Sequence, residues 1–185
     1  MMHVWLMRIK QIYITQRKNK MISTVPNVIF KTRVRDESLK SENPFRWQDV
    51  SSSDVFKGKK VVIVALPGAF TPTCSAQHVP GFVEHFDAFK AKGVDEIWCV
   101  AVNDPFVMGA WGRDLNVGKK IRMLGDGSGE FTKKLGMEFD LTARGLGVRS
   151  QRYAMIIEDG VVKTLDLEAP GKFEVSDAAS VLKKL

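Results

Sequence analysis

One cysteine in this chain has a setting that can do chemistry: Cys74 closes the stretch Pro67-Gly68-Ala69-Phe70-Thr71-Pro72-Thr73-Cys74. An apolar run at residues 61–66 precedes the stretch, and an amphipathic segment over about residues 75–92 follows it. This context predicts strand, loop and helix, with the thiol in the first turn of the helix. Thr71 suits the N-cap position, and Pro72 suits the first helical position because its missing N–H would find no partner there. Thr71 also precedes a proline, which biases it toward the extended geometry of a cap. Cys74 then falls on the third helical residue, among N–H groups without intrahelical acceptors. Those donors and the positive end of the helix dipole favour a thiolate, the form of cysteine that acts as a nucleophile.

Magnitudes show that the helix end is not enough. Bringing a thiol from about 8.5 to about 6 takes roughly 3.4 kcal/mol, whereas a helix terminus supplies ~0.3–1 and at best ~2. A cation must therefore help. No Lys or Arg lies within ten residues of Cys74, so the cation has to come from elsewhere in the fold. Arg144, Arg149 and Arg152 are the candidates, because they flank the opening of a later apolar strand. His78, one turn beyond the thiol, reads as a supporting or structural residue rather than as its base.

Length and charge narrow the function classes. The 185 residues suit one domain with a substantial core and a short appendage. The net charge of +7 is not spread over the body. Residues 1–35 hold eight cations and no acid, which leaves 20 cations against 21 acids in the rest. A near-neutral body with a basic tail and no reading motif argues against nucleic-acid recognition. No apolar run approaches the roughly 20 residues that span a bilayer, so no membrane partner is expected. Residues 1–24 form a basic extension that resembles an organellar targeting segment; without such a role the protein would be cytoplasmic. Two cysteines, Cys74 and Cys99, are too few for a stapled secreted domain or a multi-cysteine zinc site. No metal, nucleotide-binding or haem motif is present, and no cofactor is expected.

The elements that must position the thiol read as follows. Residues 25–35 predict one or two short strands, and residues 36–53 a turn-rich segment anchored by Phe45 and Trp47. Residues 61–66 and 97–102 predict two strands buried in the middle of a sheet, since nearly every side chain is apolar. The helix after Cys74 carries an apolar stripe of Val79, Phe82, Val83, Phe86 and Phe89, with a kink predicted at Pro80-Gly81. Asn103-Asp104-Pro105 opens a helix to about Leu115. A short strand at 121–124 and a helix at 128–135 follow, then a loop at 139–150. A strand at 152–157 turns at Asp159-Gly160 into another at 161–167. A helix at 176–184, capped by Ser176, closes the chain. Strand–helix–strand order implies parallel pairing and the late hairpin antiparallel pairing. The expected architecture over residues 25–185 is α/β, a thioredoxin-like fold with a mixed central sheet flanked by helices.

Several blocks resemble one family. Pro67-x3-Thr71-x2-Cys74 is similar to the active-site pattern of peroxiredoxins, which are thiol peroxidases on a thioredoxin-like fold. The longer run through Ser75, then His78-Val79-Pro80-Gly81-Phe82, resembles the peroxiredoxin 5 (plant type II) subfamily. Val102-Asn103-Asp104-Pro105-Phe106-Val107, Trp111-Gly112-Arg113 and Gln151-Arg152-Tyr153-Ala154 do so as well. The resemblance implies that Cys74 is the peroxidatic cysteine and becomes a sulfenic acid. It implies that Thr71 offers its hydroxyl to thiolate and peroxide, that Arg152 is the missing cation, and that Pro67 shields the sulfur from water. The N–H groups of Thr73 and Cys74 would help hold the peroxide oxygens. Phe70, Leu141 and Leu146 would line an apolar mouth for alkyl hydroperoxides, and the subfamily implies a homodimer through the active-site face.

Recycling departs from the animal-type pattern, because residues 165–185 contain no resolving cysteine. Cys99 matches the position of a second cysteine in plant-type members. Its place among Trp98, Val100 and Ala101 favours a buried, structural thiol over a resolving one. The implied cycle uses an external thiol, with glutathione and glutaredoxin favoured and thioredoxin as the other partner. A thiol–disulfide oxidoreductase is disfavoured because threonine occupies the partner position in Thr71-Pro72-Thr73-Cys74. A redox sensor or chaperone-like interaction protein using the same thiol is the non-enzymatic alternative.

Overall fold

The computed structural model describes residues 22–42 and 44–185; the targeting expectation falls on residues outside them. Among the described residues nine strands and six α-helices follow in order. β1 (Ile29–Arg35) and β2 (Phe45–Ser51) form an antiparallel hairpin, and α1 (Ser52–Phe56) leads into β3 (Lys60–Ala65). A π-helical turn at Cys74–His78 runs into α2 (Val79–Glu84) and α3 (Phe86–Ala91). Next come β4 (Glu96–Ala101), α4 (Pro105–Asp114), β5 (Arg122–Gly125) and α5 (Glu130–Lys134). β6 (Glu138–Asp140) and β7 (Val148–Ser150) enclose a 3-10 turn at Thr142–Arg144. β8 (Tyr153–Glu158), β9 (Val161–Leu167) and α6 (Ala178–Leu182) complete the chain.

The central sheet has the order β5-β4-β3-β8-β9. β3, β4 and β5 run parallel, while β8 pairs antiparallel with β3 and β9 with β8. This is the expected mixed sheet, and its two faces carry the two cores. Val62, Val64, Cys99 and Ala101 pack on one side with Phe82, Phe89 and Trp111. Val61, Ile63, Trp98 and Val100 pack on the other with Phe30, Phe56 and Phe131. Alternate residues of an all-apolar strand can serve two cores because successive side chains point to opposite faces. The β8–β9 turn has Asp159 at φ 48° and Gly160 at φ 75°, the two positive values that a tight two-residue hairpin requires.

Four local expectations are corrected. The body begins before residue 25, because Val162 N–H donates to Ser23 C=O and Val25 N–H to Gly160 C=O, both at 3.0 Å. Trp47 is no anchor: it is 55% exposed on β2, with its ring edge to the exposed Phe106 at 5.6 Å, and Phe30 and Val50 are the buried hairpin side chains. The 139–150 segment is not a plain loop, since Glu138–Asp140 pairs with Val148–Ser150. Asp177, not Ser176, caps α6 by accepting from Ser180 N–H at 3.0 Å. Ser176 is fully buried and used elsewhere.

Candidate active site

The thiol sits where β3 ends and the next helix begins. Leu66, the last core residue before Pro67, still donates its N–H to Val100 C=O at 3.3 Å, so the loop starts from a rigid strand. The loop then turns sharply. Phe70 has φ 60°, a left-handed value that costs a bulky residue on the order of 1–3 kcal/mol and persists only where neighbours enforce it. Three contacts do so here. Ala69 N–H donates to Asn103 Oδ1 at 3.0 Å, and the Thr71 hydroxyl donates to Gly68 C=O at 2.8 Å. The Phe70 ring lies 6.3 Å from Trp111, whose Nε1–H also donates to Ser75 Oγ at 3.0 Å. Trp111 of α4 thus grips both the loop and the start of the helix.

Thr71 takes the N-cap position by its backbone, with Ser75 N–H donating to Thr71 C=O at 3.0 Å. Its hydroxyl, however, closes the loop onto Gly68 instead of capping the helix, so the expected side-chain cap is not formed. Thr73 and Cys74 precede that first bond, which leaves their N–H groups without an intrahelical acceptor. The predicted kink takes the form of a π turn: Val79 N–H donates to Cys74 C=O, one residue farther than in an α-helix. Pro80 has no N–H to offer the Ala76 carbonyl, and the wider turn absorbs that gap. The helix breaks a second time at His85, not at Pro80-Gly81 itself.

Cys74 is fully buried, and Arg152 Nη2 reaches its Sγ at 3.4 Å. Of the three candidate arginines, Arg152 is therefore the one beside the sulfur. Arg149 serves the loop instead: its Nε donates to Leu146 C=O at 2.7 Å and its Nη1 lies 3.3 Å from Asn103 Oδ1. A Cβ on Gly68 would meet Arg149 Nη1 at 2.8 Å, so glycine is what lets the guanidinium lie against the loop. Arg144 ends the 3-10 turn and is exposed.

His78 is fully buried and links Arg152 to the rest of the fold. Its Nε2 lies 3.0 Å from Ser176 C=O, which can only accept, so Nε2 carries the proton. Nδ1 is then the bare nitrogen that accepts from Arg152 Nη1 at 3.0 Å. Burial, reinforced by the Arg152 charge, pushes the His78 pKa down to about 4, which keeps the ring neutral and able to accept. An imidazole committed to Arg152 and Ser176 is not a base for the thiol.

This burial makes an acid sensitivity. In the unfolded chain His78 titrates near 6.5, and in the fold near 4. The neutral form's contribution is complete above 6.5 and falls away as pH drops toward 4, by about 3 kcal/mol. Urea unfolding should therefore show stability falling between pH 6.5 and 4.5, before most carboxylates titrate, and the slope should flatten in His78→Gln. A level stability across that window would mean that His78 is charged in the fold.

Pro67 and Thr73 are half-buried around the thiol, Phe70 is 55% exposed and Leu146 38% exposed. Leu141, expected at the mouth, is buried at 7% exposure and differs from Phe70 and Leu146 in this. Cys99 is fully buried in β4, paired with Val64 on one side and Met123 on the other. Burial, with Cys74 nearby, pushes its thiol far above the ordinary cysteine range. Asn103, Glu168, Phe173 and Ser176 are further neighbours of the site. Asn103 and Ser176 have a local signal only as residues at helix starts, and nothing local marks Glu168 or Phe173. Among the described residues no three His, Cys, Asp or Glu side chains gather as a metal site needs, and no helix is long and apolar enough to cross a membrane.

A profile of the Redoxin family matches residues 39–182. Peroxiredoxin sll1621 of Synechocystis sp. is 47% identical over 168 residues, covering 87% of this chain and 88% of that protein. Peroxiredoxin-2B of Arabidopsis thaliana is 51% identical over 138 residues, covering 75% and 85%. Among solved structures, reduced Prx3 of Vibrio vulnificus in complex with H2O2 superposes with a TM-score of 0.77 at 49% identity. It covers 87% of this chain and 95% of its own. Likeness at this level covers most of the chain, which belongs to the redoxin family as a peroxiredoxin, a thiol-dependent peroxidase.

Proposed function

We propose that Cys74 is the peroxidatic residue and that hydrogen peroxide and alkyl hydroperoxides are its substrates. The observation that carries this reading is the Arg152 Nη2 to Cys74 Sγ contact at 3.4 Å, at the start of a helix. The Cys74 thiolate attacks the distal peroxide oxygen, an S–O bond forms and the O–O bond breaks. The sulfur is oxidised to a sulfenic acid, and the peroxide is reduced to water or an alcohol once the leaving oxygen takes a proton. Arg152, with the N–H groups of Thr73 and Cys74, stabilises charge on the departing oxygen. The Thr71 hydroxyl keeps acceptor capacity for the peroxide while donating to Gly68. Pro67 shields the sulfur, and Phe70 and Leu146 offer apolar surface to an alkyl group.

The sulfenic acid is then reduced by an external thiol, which releases water and leaves a mixed disulfide for a second thiol to cleave. Glutathione with glutaredoxin is the favoured pair, and thioredoxin is the other candidate. Cys99 is a structural thiol in this reading, because reaching Cys74 would require breaking β4 out of the middle of the sheet. Steady-state peroxide consumption with each reductant system tests the cycle. Glutathione and glutaredoxin should sustain turnover, and Cys99→Ser should match the wild-type rate within about twofold, since it changes a buried thiol without a mechanistic role. Loss of turnover in that variant would make Cys99 a resolving residue, and no consumption with either system would reject the cycle.

The proposed assembly is a homodimer through the active-site face. Exposed Phe70 on the site loop, and exposed Phe106 of α4 gathered with exposed Trp47 at 5.6 Å, support it, since apolar side chains clustered in water mark interaction surfaces. Sedimentation velocity measures it directly.

A further inference from the structure

Arg152 is held from two directions by one closed ring of hydrogen bonds. At its backbone end, Glu168 N–H donates to Arg152 C=O at 3.0 Å. The Glu168 side chain, on a residue only 7% exposed, then turns into the segment that follows β9. Its Oε1 accepts from three successive backbone N–H groups, Glu174, Val175 and Ser176, each at 2.8 Å. The Ser176 hydroxyl donates to the same oxygen at 2.9 Å. Ser176 presents its C=O to His78 Nε2, and His78 Nδ1 accepts from Arg152 Nη1. The Phe173 ring, from the same segment, covers both His78 at 4.9 Å and the Arg152 guanidinium at 5.6 Å.

Three consecutive N–H groups converging on one anion make a nest, a concavity that needs negative charge to hold its shape. Residues 169–177 contain no strand and no regular helix, so the carboxylate does for this segment what a ladder of backbone bonds does elsewhere. Burial alone would raise the Glu168 pKa, but the Val175, Ser176 and Glu174 N–H groups and the Ser176 hydroxyl outweigh it and hold the carboxyl below its usual range. The nest is therefore anionic at neutral pH.

We propose that Glu168 is a positioning residue for the peroxidase reaction: its carboxylate shapes the 173–176 segment so that Ser176 holds His78, and His78 aims Arg152 at the Cys74 sulfur. Glu168 touches neither the thiol nor the peroxide site. It acts through three links, each short and directional, and the last group in line is a planar guanidinium whose two outer nitrogens are both used. One nitrogen is committed to His78 and the other to Sγ, so a rotation that loses the first bond also loses the second. The inference rests on the reading of Arg152 as the cation beside the reactive thiol.

The test is the rate of reaction with hydrogen peroxide against pH, by rapid mixing of the reduced protein, in wild type, Glu168→Ala, Glu168→Gln, Asp177→Ala and Arg152→Met. Glu168→Ala should lower the rate at neutral pH roughly 10- to 100-fold, the scale on which misplacing a group by about an ångström acts. It should also move the acid limb of the profile to higher pH. Glu168→Gln, which keeps one acceptor oxygen and loses the charge, should shift the profile the same way by less. Asp177→Ala removes the α6 cap and a charge that reaches His78, but no link within the ring, and should lower Tm while moving the profile much less than Glu168→Ala does. A Glu168→Ala profile that coincides with wild type would overturn the proposal. An Asp177→Ala shift as large as that of Glu168→Ala would also overturn it, because loosening the segment would then suffice. If Glu168→Ala does not fold, an unshifted Glu168→Gln profile decides against it in the same way. Arg152→Met separates the two levels. A shift there without one in the Glu168 variants rejects this inference alone, whereas no shift in Arg152→Met rejects the assignment of Arg152 beneath it.

Discussion

Cys74→Ser is expected to abolish peroxide consumption and leave a folded protein. The two outcomes separate because the side chain has two roles. As a packing element, Cys74 is one member of a core with Leu66, Val79 and Met108, and serine differs from it by one smaller, more polar atom. Burying that hydroxyl costs ~1–3 kcal/mol if it is unpaired, and less if it keeps a donor. Arg152 Nη2, 3.4 Å from the present sulfur, remains available as that donor. As a nucleophile the exchange removes nearly everything, because an alcohol is not ionised near neutral pH and has no adjacent base here. His78, one turn beyond the thiol, already spends both nitrogens on Arg152 and Ser176. Peroxide loss followed in a coupled assay, beside circular dichroism of the same preparation, reads both results. Turnover retained in a folded Cys74→Ser protein would move the chemistry to another residue.

The second large effect is expected from Arg152→Met, which keeps much of the apolar stem and removes the charge. Loss of a preorganised donor at a site of developing negative charge costs roughly 10²–10³ in rate. Here the same substitution also removes the cation that, among the described residues, lies at the sulfur, so the acid limb of the pH–rate profile should move upward. Arg152→Lys should recover only part of the rate. A lysine ammonium is a point charge and cannot hold His78 and the sulfur at once in the flat two-pronged geometry of a guanidinium. A pH–rate profile unchanged by Arg152→Met would take Arg152 out of the mechanism and return the search to Arg149, which lies against Gly68.

Residues 67–74 by themselves called for a cation from elsewhere in the fold, because dipole and N–H groups fall short of the energy required. Their local chemistry could not choose among Arg144, Arg149 and Arg152, since all three flank the same strand opening; only the resemblance to peroxiredoxins pointed to Arg152. Pairing decides: Tyr153 faces Ala65 across β3 and β8, and this brings the preceding residue to the loop that leaves β3. Arg149, on the β6–β7 ribbon, reaches Leu146 and Asn103 instead. Thr71 shows a similar limit. Its place before Pro72 correctly marks where the helix starts, but its hydroxyl found a nearer acceptor in Gly68, a competition decided by the path of the loop. Ser176 was a reasonable cap by residue type, yet the neighbouring Asp177 took that role and left Ser176 for the interior.

What the sequence by itself determined is what local chemistry controls. Apolar runs became buried strands, Asp159-Gly160 became the hairpin turn, Pro72 began the helix, and a thiol stood at its first turn within a motif similar to that of peroxiredoxins. These are settled by neighbours a few residues apart. The tertiary structure alone decided the surroundings of that thiol. Arg152 meets Cys74 across 78 positions, His78 meets Arg152 across 74, and Ser176 meets His78 across 98. No periodicity or spacing encodes contacts at such separations. They arise when β8 pairs with β3 and the segment after β9 folds back over the helix start, and only then do a histidine, a serine carbonyl and a glutamate become parts of one site.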